Sequence, residues 1–126
     1  MKAVDIKNLQ EILKANANTY FDTKLSLKLA KLKLEVDNKI KIYNDVVSRL
    51  LNECAVLKDD GKYNVDEDGN LELKPDKKEM WETEITKIEN MDLDILETFT
   101  DDEINQLKIT PAQASTVLLL KENPKD

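Results

Sequence analysis

The hydrophobic pattern of this chain is most regular between Lys24 and Lys58. Apolar residues recur there at steps of three or four, at Leu25, Leu29, Leu32, Val36, Ile40, Tyr43, Val47, Leu50, Cys54 and Leu57. This spacing predicts one long amphipathic helix. A strand is disfavoured, because the alternation of leucines changes phase at Ala30 and Lys31, where no turn residue would let a strand exchange its faces. Further apolar residues widen the stripe, at Leu27, Leu34, Ile42, Val46 and Leu51.

Shorter helical patterns lie on both sides of this helix. Residues 5–16 carry isoleucines and leucines at helical spacing, and Pro75 opens a helix that contains the single tryptophan, Trp81. Thr100 and Thr110 are each followed three residues later by Glu or Gln, which is the spacing of a capping box. We therefore expect four helices besides the long one, the last two of them short.

Residues 59–74 show a different pattern. Short alternating runs at 62–65 and 71–73 flank the sequence Asp-Glu-Asp-Gly-Asn. An Asp-Gly pair between alternating runs predicts a β-hairpin, which would be acidic and exposed. The alternative is a calcium loop of the EF-hand type, but Pro75 stands where that loop needs its bidentate glutamate.

Together these elements predict a mainly α fold. Its long central helix would belong to an antiparallel helical hairpin or bundle, with the small acidic β-hairpin as an insertion. At 126 residues the chain has the size of one domain with its own core, so we expect a single helical domain over residues 1–126. Its parts would be a basic helical hairpin (1–58), the β-hairpin (59–74) and an acidic helical part (75–126). The long helix would span about 50 Å, which is as long as such a globule or longer, so we expect that it either bends or projects and pairs with a second chain or another protein.

Charge divides the chain in two. Residues 1–58 hold 11 Lys or Arg against 7 Asp or Glu, and residues 59–126 hold 8 against 19, so the net charges are +4 and −11. We expect the basic face of the long helix to neutralise the acidic half, through Lys24, Lys28, Lys31, Lys39 and Lys41. If these lysines have no partners inside the chain, the helix itself becomes the interaction surface. The total of −7 argues against general nucleic-acid binding, which needs clustered cations.

The sequence offers little catalytic chemistry. It has no histidine, and its one cysteine, Cys54, lies on the apolar stripe of the long helix, where we expect it to be buried. There is no glycine-rich phosphate loop, and the paired carboxylates fall in predicted turns and helix starts rather than in a cleft. We therefore expect no enzyme, no cofactor and no metal ion. The single cysteine, with no membrane-length apolar run and no signal-peptide pattern, predicts a cytoplasmic location.

Two segments and the order of the elements carry a resemblance. Residues 66–70, Asp-Glu-Asp-Gly-Asn, and residues 107–111, Leu-Lys-Ile-Thr-Pro, resemble small uncharacterised helical proteins of double-stranded DNA phages and prophages. The resemblance spans most of the chain. It implies a phage-borne accessory protein in the bacterial host cytoplasm, and it brings no catalytic residues with it.

The leading hypothesis is a non-enzymatic protein that binds a host or phage protein. We expect its acidic surface to occupy a basic cleft and so inhibit a host factor or defence protein. The candidate partner-binding residues are Asp66, Glu67, Asp68, Asp101 and Asp102. The alternative is a structural component of the virion or of phage assembly that forms a homo-oligomer through the long helix. Neither hypothesis includes direct binding to nucleic acid or a membrane.

Overall fold

The computed structural model describes residues 1–122, which are mainly helical and contain no β-strand. A 3-10 turn, Pro75–Lys77, precedes the third helix. The five α-helices are α1 (Ala3–Ala15), α2 (Thr23–Cys54), α3 (Lys78–Glu89), α4 (Asp101–Asn105) and α5 (Pro111–Leu118). The predicted α class is confirmed. None of the helices described is both long enough and apolar enough to cross a membrane.

The chain divides into two compact units, and α2 contributes residues to both. Unit 1 consists of Met1–Lys41 and the described part of Met91–Asp126, and unit 2 consists of Ile42–Asn90. The single-domain organisation in three parts stays a prediction.

Unit 1 has an apolar core, to which α1 and the first half of α2 contribute residues at their predicted apolar spacing. Its buried apolar side chains include Ile6, Leu9, Ile12, Leu25, Leu32, Val36, Leu93, Phe99, Ile104, Val117 and Leu120. Helix α5 packs on α1, and the two run in opposite directions. Asn8 donates a hydrogen bond to Thr116 at 3.2 Å, and Asn16, the residue that caps the C-terminal end of α1, donates one to the Lys108 carbonyl.

Unit 2 has its own core, formed by the second half of α2 and by α3. Its buried centre is Leu50, Cys54 and Ile88, and partly buried Trp81 and Ile85 pack against it. Helix α3 therefore presents Trp81, Ile85 and Ile88, which are three or four residues apart, on one apolar side. Cys54 is fully buried, as expected from its position on the apolar stripe.

The predicted β-hairpin insertion is not supported. Three isolated antiparallel bridges stand in its place, and they join Ala55 with Leu73, Leu57 with Tyr63, and Val65 with Leu71. Backbone hydrogen bonds of 2.9 Å close a cycle through the middle of the three short segments. Val56 N–H donates to Glu72, Glu72 N–H donates to Asn64, and Asn64 N–H donates to Val56. Each segment therefore shares its pairing between two neighbours, which prevents a continuous two-stranded ladder.

The same arrangement explains why α2 is shorter than predicted. The helix ends at Cys54 rather than Lys58, because the residues after Cys54 become the first of the three paired segments. Lys74 N–H donates to the Cys54 carbonyl at 2.8 Å and ties the last segment to the helix end. As a consequence Leu57, expected on the apolar stripe, is 50% exposed.

Candidate functional site

Residues 59–74, called the acidic loop below, carry six carboxylates and two lysines. The loop contains two similar turns, and each is held by an aspartate. Asp60 Oδ1 accepts one backbone N–H at 3.0 Å, and Asp66 Oδ1 accepts those of Asp68 and Asn70 at 3.0 and 2.9 Å. The glycine of each turn has a φ of 82° or 81°, a conformation that glycine adopts without steric cost. The loop thus has a defined backbone that presents its carboxylates.

The structure gives the predicted residues of this loop different roles. Asp66 uses its carboxylate to hold the turn, so it is a structural residue. Glu67 and Asp68 are exposed, and neither forms an ion pair with a lysine or arginine of residues 1–122. These two side chains, with Asp59, are the ones available to a partner.

The other predicted pair, Asp101 and Asp102, lies in the first turn of α4, in unit 1 rather than unit 2. Asp101 forms an ion pair with Lys121 at 3.2 Å. Asp102 is exposed, and at this helix end a carboxylate also interacts favourably with the helix dipole. Both residues therefore have local structural roles, and the acidic loop is the stronger candidate.

Of the five α2 lysines predicted to neutralise the acidic half of the chain, only one forms an ion pair with a carboxylate of residues 59–122. Lys28 Nζ pairs with Glu103 at 2.7 Å. The other four, Lys24, Lys31, Lys39 and Lys41, make no ion pair with any carboxylate in the described part of the chain. Leu27 and Leu34, which were expected to widen the buried stripe, are also exposed to solvent, by 58% and 72%. This face of α2 is therefore a second candidate surface, and it is basic.

The Lys28–Glu103 pair lies at a charged cluster inside unit 1. Lys28 Nζ also donates to the Thr98 carbonyl at 3.1 Å and lies 5.6 Å from the centre of the Phe99 ring. Burial alone would raise the pKa of Glu103, but hydrogen bonds from Lys28 and Thr100 and the positive charge of Lys28 outweigh it, so the pKa lies below its usual value. Glu103 is therefore ionised at neutral pH, and the cluster holds α4 against α2.

Two further polar residues hold unit 1 together, and their roles were not predicted. Asn16 is buried, and its side chain donates to the carbonyls of Ile12 and Lys108 at 2.8 and 3.0 Å and accepts the Lys108 N–H at 2.8 Å. The carboxylate of Glu35 accepts the N–H groups of residues 96 and 97 at 2.6 and 3.2 Å. Nothing in the hydrophobic pattern marks either residue, because both partners are distant in sequence.

Unit 1 also contains a groove of about 510 Å³ between α1 and α2. Its apolar lining includes Leu13, Phe21 and Leu29, and its edge carries Lys33 and Asp37, which pair at 2.7 Å. The groove offers apolar surface to a partner side chain, and these two charged groups at its edge are paired with each other. The charged surfaces therefore remain the stronger candidates.

The described residues contain no group of three or more Cys, Asp or Glu side chains placed to hold a metal ion. Comparisons with protein-family models, with curated proteins and with solved structures find no match to this chain. The class of protein must therefore be argued from its surfaces.

Proposed function

We propose that this chain is a non-enzymatic phage or prophage accessory protein that acts by binding another protein through its acidic loop. The single observation that carries the proposal is the state of the loop carboxylates. Asp59, Glu67 and Asp68 are exposed and unpaired within residues 1–122, on a backbone that the two turns and the cycle of hydrogen bonds define. The phage or prophage setting rests on the sequence resemblance.

A basic cleft of a host or defence protein is the partner that this surface fits best. Opposite charge accelerates association and favours the correct orientation. A backbone that is already ordered loses little conformational entropy on binding. Such a partner would be inhibited if the loop occupied the site where it normally binds nucleic acid.

The test is a capture experiment from a bacterial host lysate at low salt, followed by affinity measurements on the purified partner. The informative variant is Asp59→Lys/Glu67→Lys/Asp68→Lys, which spares Asp66 because that side chain holds the turn. We expect it to lose capture, and we expect wild-type affinity to fall steeply with added salt.

A matched control carries the same charge change outside the loop, in Glu82→Lys/Glu89→Lys/Asp94→Lys, and should bind as wild type does. Circular dichroism should show equal helicity for all three proteins. If the loop variant binds as wild type does, or if the affinity does not depend on salt, the loop is not the binding surface.

The alternative function is a virion or assembly component that forms a homo-oligomer through α2, the long central helix of the predicted hairpin or bundle. The observation in its favour is the exposure of Leu27 and Leu34 among unpaired lysines. Light scattering tests it. Substitutions at Leu27 and Leu34 are the suitable probes, because Leu32, on the opposite face, is buried and its replacement would unfold the chain.

A further inference from the structure

The outward face of α2 in unit 1 carries a regular row of exposed residues. The row, called the basic strip below, consists of Lys24, Leu27, Lys31, Leu34 and Lys41. Its members are three, four or seven residues apart, so they share one side of the helix. All five are exposed, and the three lysines form no ion pair with the described carboxylates. The strip thus combines uncompensated positive charge with solvent-exposed apolar surface.

Two basic strips cannot face each other. In a symmetric dimer built on this face each lysine would approach lysines of the second copy, and like charges without counter-charges oppose association. The occupant of the strip must therefore be acidic, and it must offer apolar side chains against Leu27 and Leu34.

The chain itself contains a surface with this chemistry. The acidic loop is net −4 from its six carboxylates and two lysines. Exposed apolar residues accompany its carboxylates: Leu57 just before the loop is 50% exposed and Val65 within it is 49% exposed. Two half-exposed apolar side chains beside unpaired carboxylates complement two exposed leucines beside unpaired lysines.

We propose that the basic strip of one copy binds the acidic loop of a second copy. This inference rests on the assembly alternative above and names its partner and contact surfaces. The contact joins two different surfaces, so it is head-to-tail, and it propagates from copy to copy unless the geometry closes a ring. Assembly should be favoured at low salt, because exposed charges are screened as the ionic strength rises.

Nucleic acid is the competing occupant of a basic strip. A phosphate backbone offers no apolar groups to cover the two leucines that interrupt the lysines, and the chain as a whole carries a net charge of −7. An acidic protein surface satisfies both the charge and the leucines, and the acidic loop is such a surface.

The experiment uses three variants of the full chain. The strip variant is Lys24→Glu/Lys31→Glu/Lys41→Glu, and the loop variant is Asp59→Lys/Glu67→Lys/Asp68→Lys. The third variant combines both sets, and because its changes cancel it keeps the natural net charge of −7. Sedimentation velocity over a concentration series measures association at about 50 mM and about 500 mM salt, between which the screening length falls from about 14 Å to about 4 Å.

We expect wild type to self-associate at low salt and to dissociate at high salt. Each single-surface variant should lose association by at least about tenfold, because three attractions become repulsions. The combined variant should regain it, and so should an equimolar mixture of the strip and loop variants. Circular dichroism must show that all variants are folded.

The outcomes separate the inference from the assembly function. A wild-type oligomer that neither single-surface variant weakens overturns the inference and leaves assembly through another surface. A wild type that is monomeric at both salt concentrations overturns both. If neither the combined variant nor the mixture associates, the proposed charge complementarity between strip and loop is overturned. If a short DNA duplex binds in a salt-dependent way that requires the strip lysines, the strip is a nucleic-acid surface instead. Capture of a basic host protein would use the same loop carboxylates, and the strip variant, which keeps them, tests that capture separately from self-association.

Discussion

The ion pair between Lys28 and Glu103 predicts a large and specific loss of stability in Lys28→Met. The side chains are 21% and 10% exposed and their charged atoms lie 2.7 Å apart. Removing the lysine leaves a nearly buried carboxylate whose Oε2 has no hydrogen-bond partner. Breaking a fully buried pair costs about 3–5 kcal/mol and an exposed pair about 0–1 kcal/mol. For this intermediate case we expect a loss of about 2 kcal/mol at neutral pH.

The matched control is Lys33→Met. Lys33 and Asp37 also lie 2.7 Å apart, but their side chains are 65% and 48% exposed. This variant should lose only about 0.3–0.5 kcal/mol, although the two interatomic distances are equal. The assay is urea unfolding followed by circular dichroism. The free energies of unfolding are compared with the same dependence on urea concentration (m value) for all proteins.

The pH dependence gives the prediction a second, independent readout. In wild type the pKa of Glu103 is lowered by folding, so its contribution is present above the unfolded pKa of about 4.3. That contribution is lost as the pH falls through the folded pKa. In Lys28→Met the cation is gone while the burial of Glu103 remains, so the difference in stability between wild type and variant should shrink as the pH falls and the carboxylate becomes protonated. Equal losses in the two variants, or a difference that does not change with pH, would refute the assignment of a partly buried pair.

Three further substitutions test the polar contacts and turns. Asn16→Ala should cost about 2–3 kcal/mol in urea unfolding, because it removes three hydrogen bonds from a buried site; a cost below about 0.5 kcal/mol would mean that these hydrogen bonds do not stabilise the fold. Glu35→Ala should accelerate hydrogen exchange of the amides of residues 96 and 97, and unchanged rates would mean that the carboxylate does not hold them. Gly61→Ala and Gly69→Ala should each lower stability by about 1–2 kcal/mol through backbone strain alone, since a Cβ at either position meets nothing within 4 Å; thermal melts would show a much larger loss if packing were involved.

The helices and their starts could be predicted because the signals are local. Thr100 Oγ1 accepts the Glu103 N–H at 3.2 Å, and Thr110 Oγ1 accepts the Gln113 N–H at 3.2 Å. Each contact lies within four residues, so the sequence spacing alone contains it. The buried stripes of α1, α2 and α3 follow from periodicity for the same reason.

The prediction of a β-hairpin was wrong because three short segments can pair with one another. Hydrophobic periodicity does not indicate which two of them will pair. The turns at 60–61 and 68–69 are both Asp-Gly, eight residues apart. Two equal turns separate three equal segments rather than two, and the first of these segments is the predicted end of α2. The repeated Asp-Gly pair was the sequence feature that could have indicated three segments. It also explains why α2 ends early and why no two-stranded hairpin forms, since the first segment is taken from the predicted end of the helix.

The candidate site was predictable in its composition but not in its contacts. Exposure of Glu67 and Asp68 follows from their turn, whereas the role of Asp66 in holding that turn depends on the direction of its carboxylate. Asn16 and Glu35 hold segments more than sixty residues away, so no local pattern identifies them.

The partial neutralisation of α2 has a geometric cause that total charge conceals. Lys28 lies three residues after Leu25 and four before Leu32, both buried, so its side chain borders the core and reaches Glu103. Lys31 lies four residues after Leu27 and three before Leu34, both exposed. The face of the helix, and not the sum of charges in each half, therefore decides which lysine finds a carboxylate, because an ion pair requires contact within about 4 Å. Positive and negative surfaces consequently coexist without compensation on one chain, and this is the physical reason to expect that the protein acts by association.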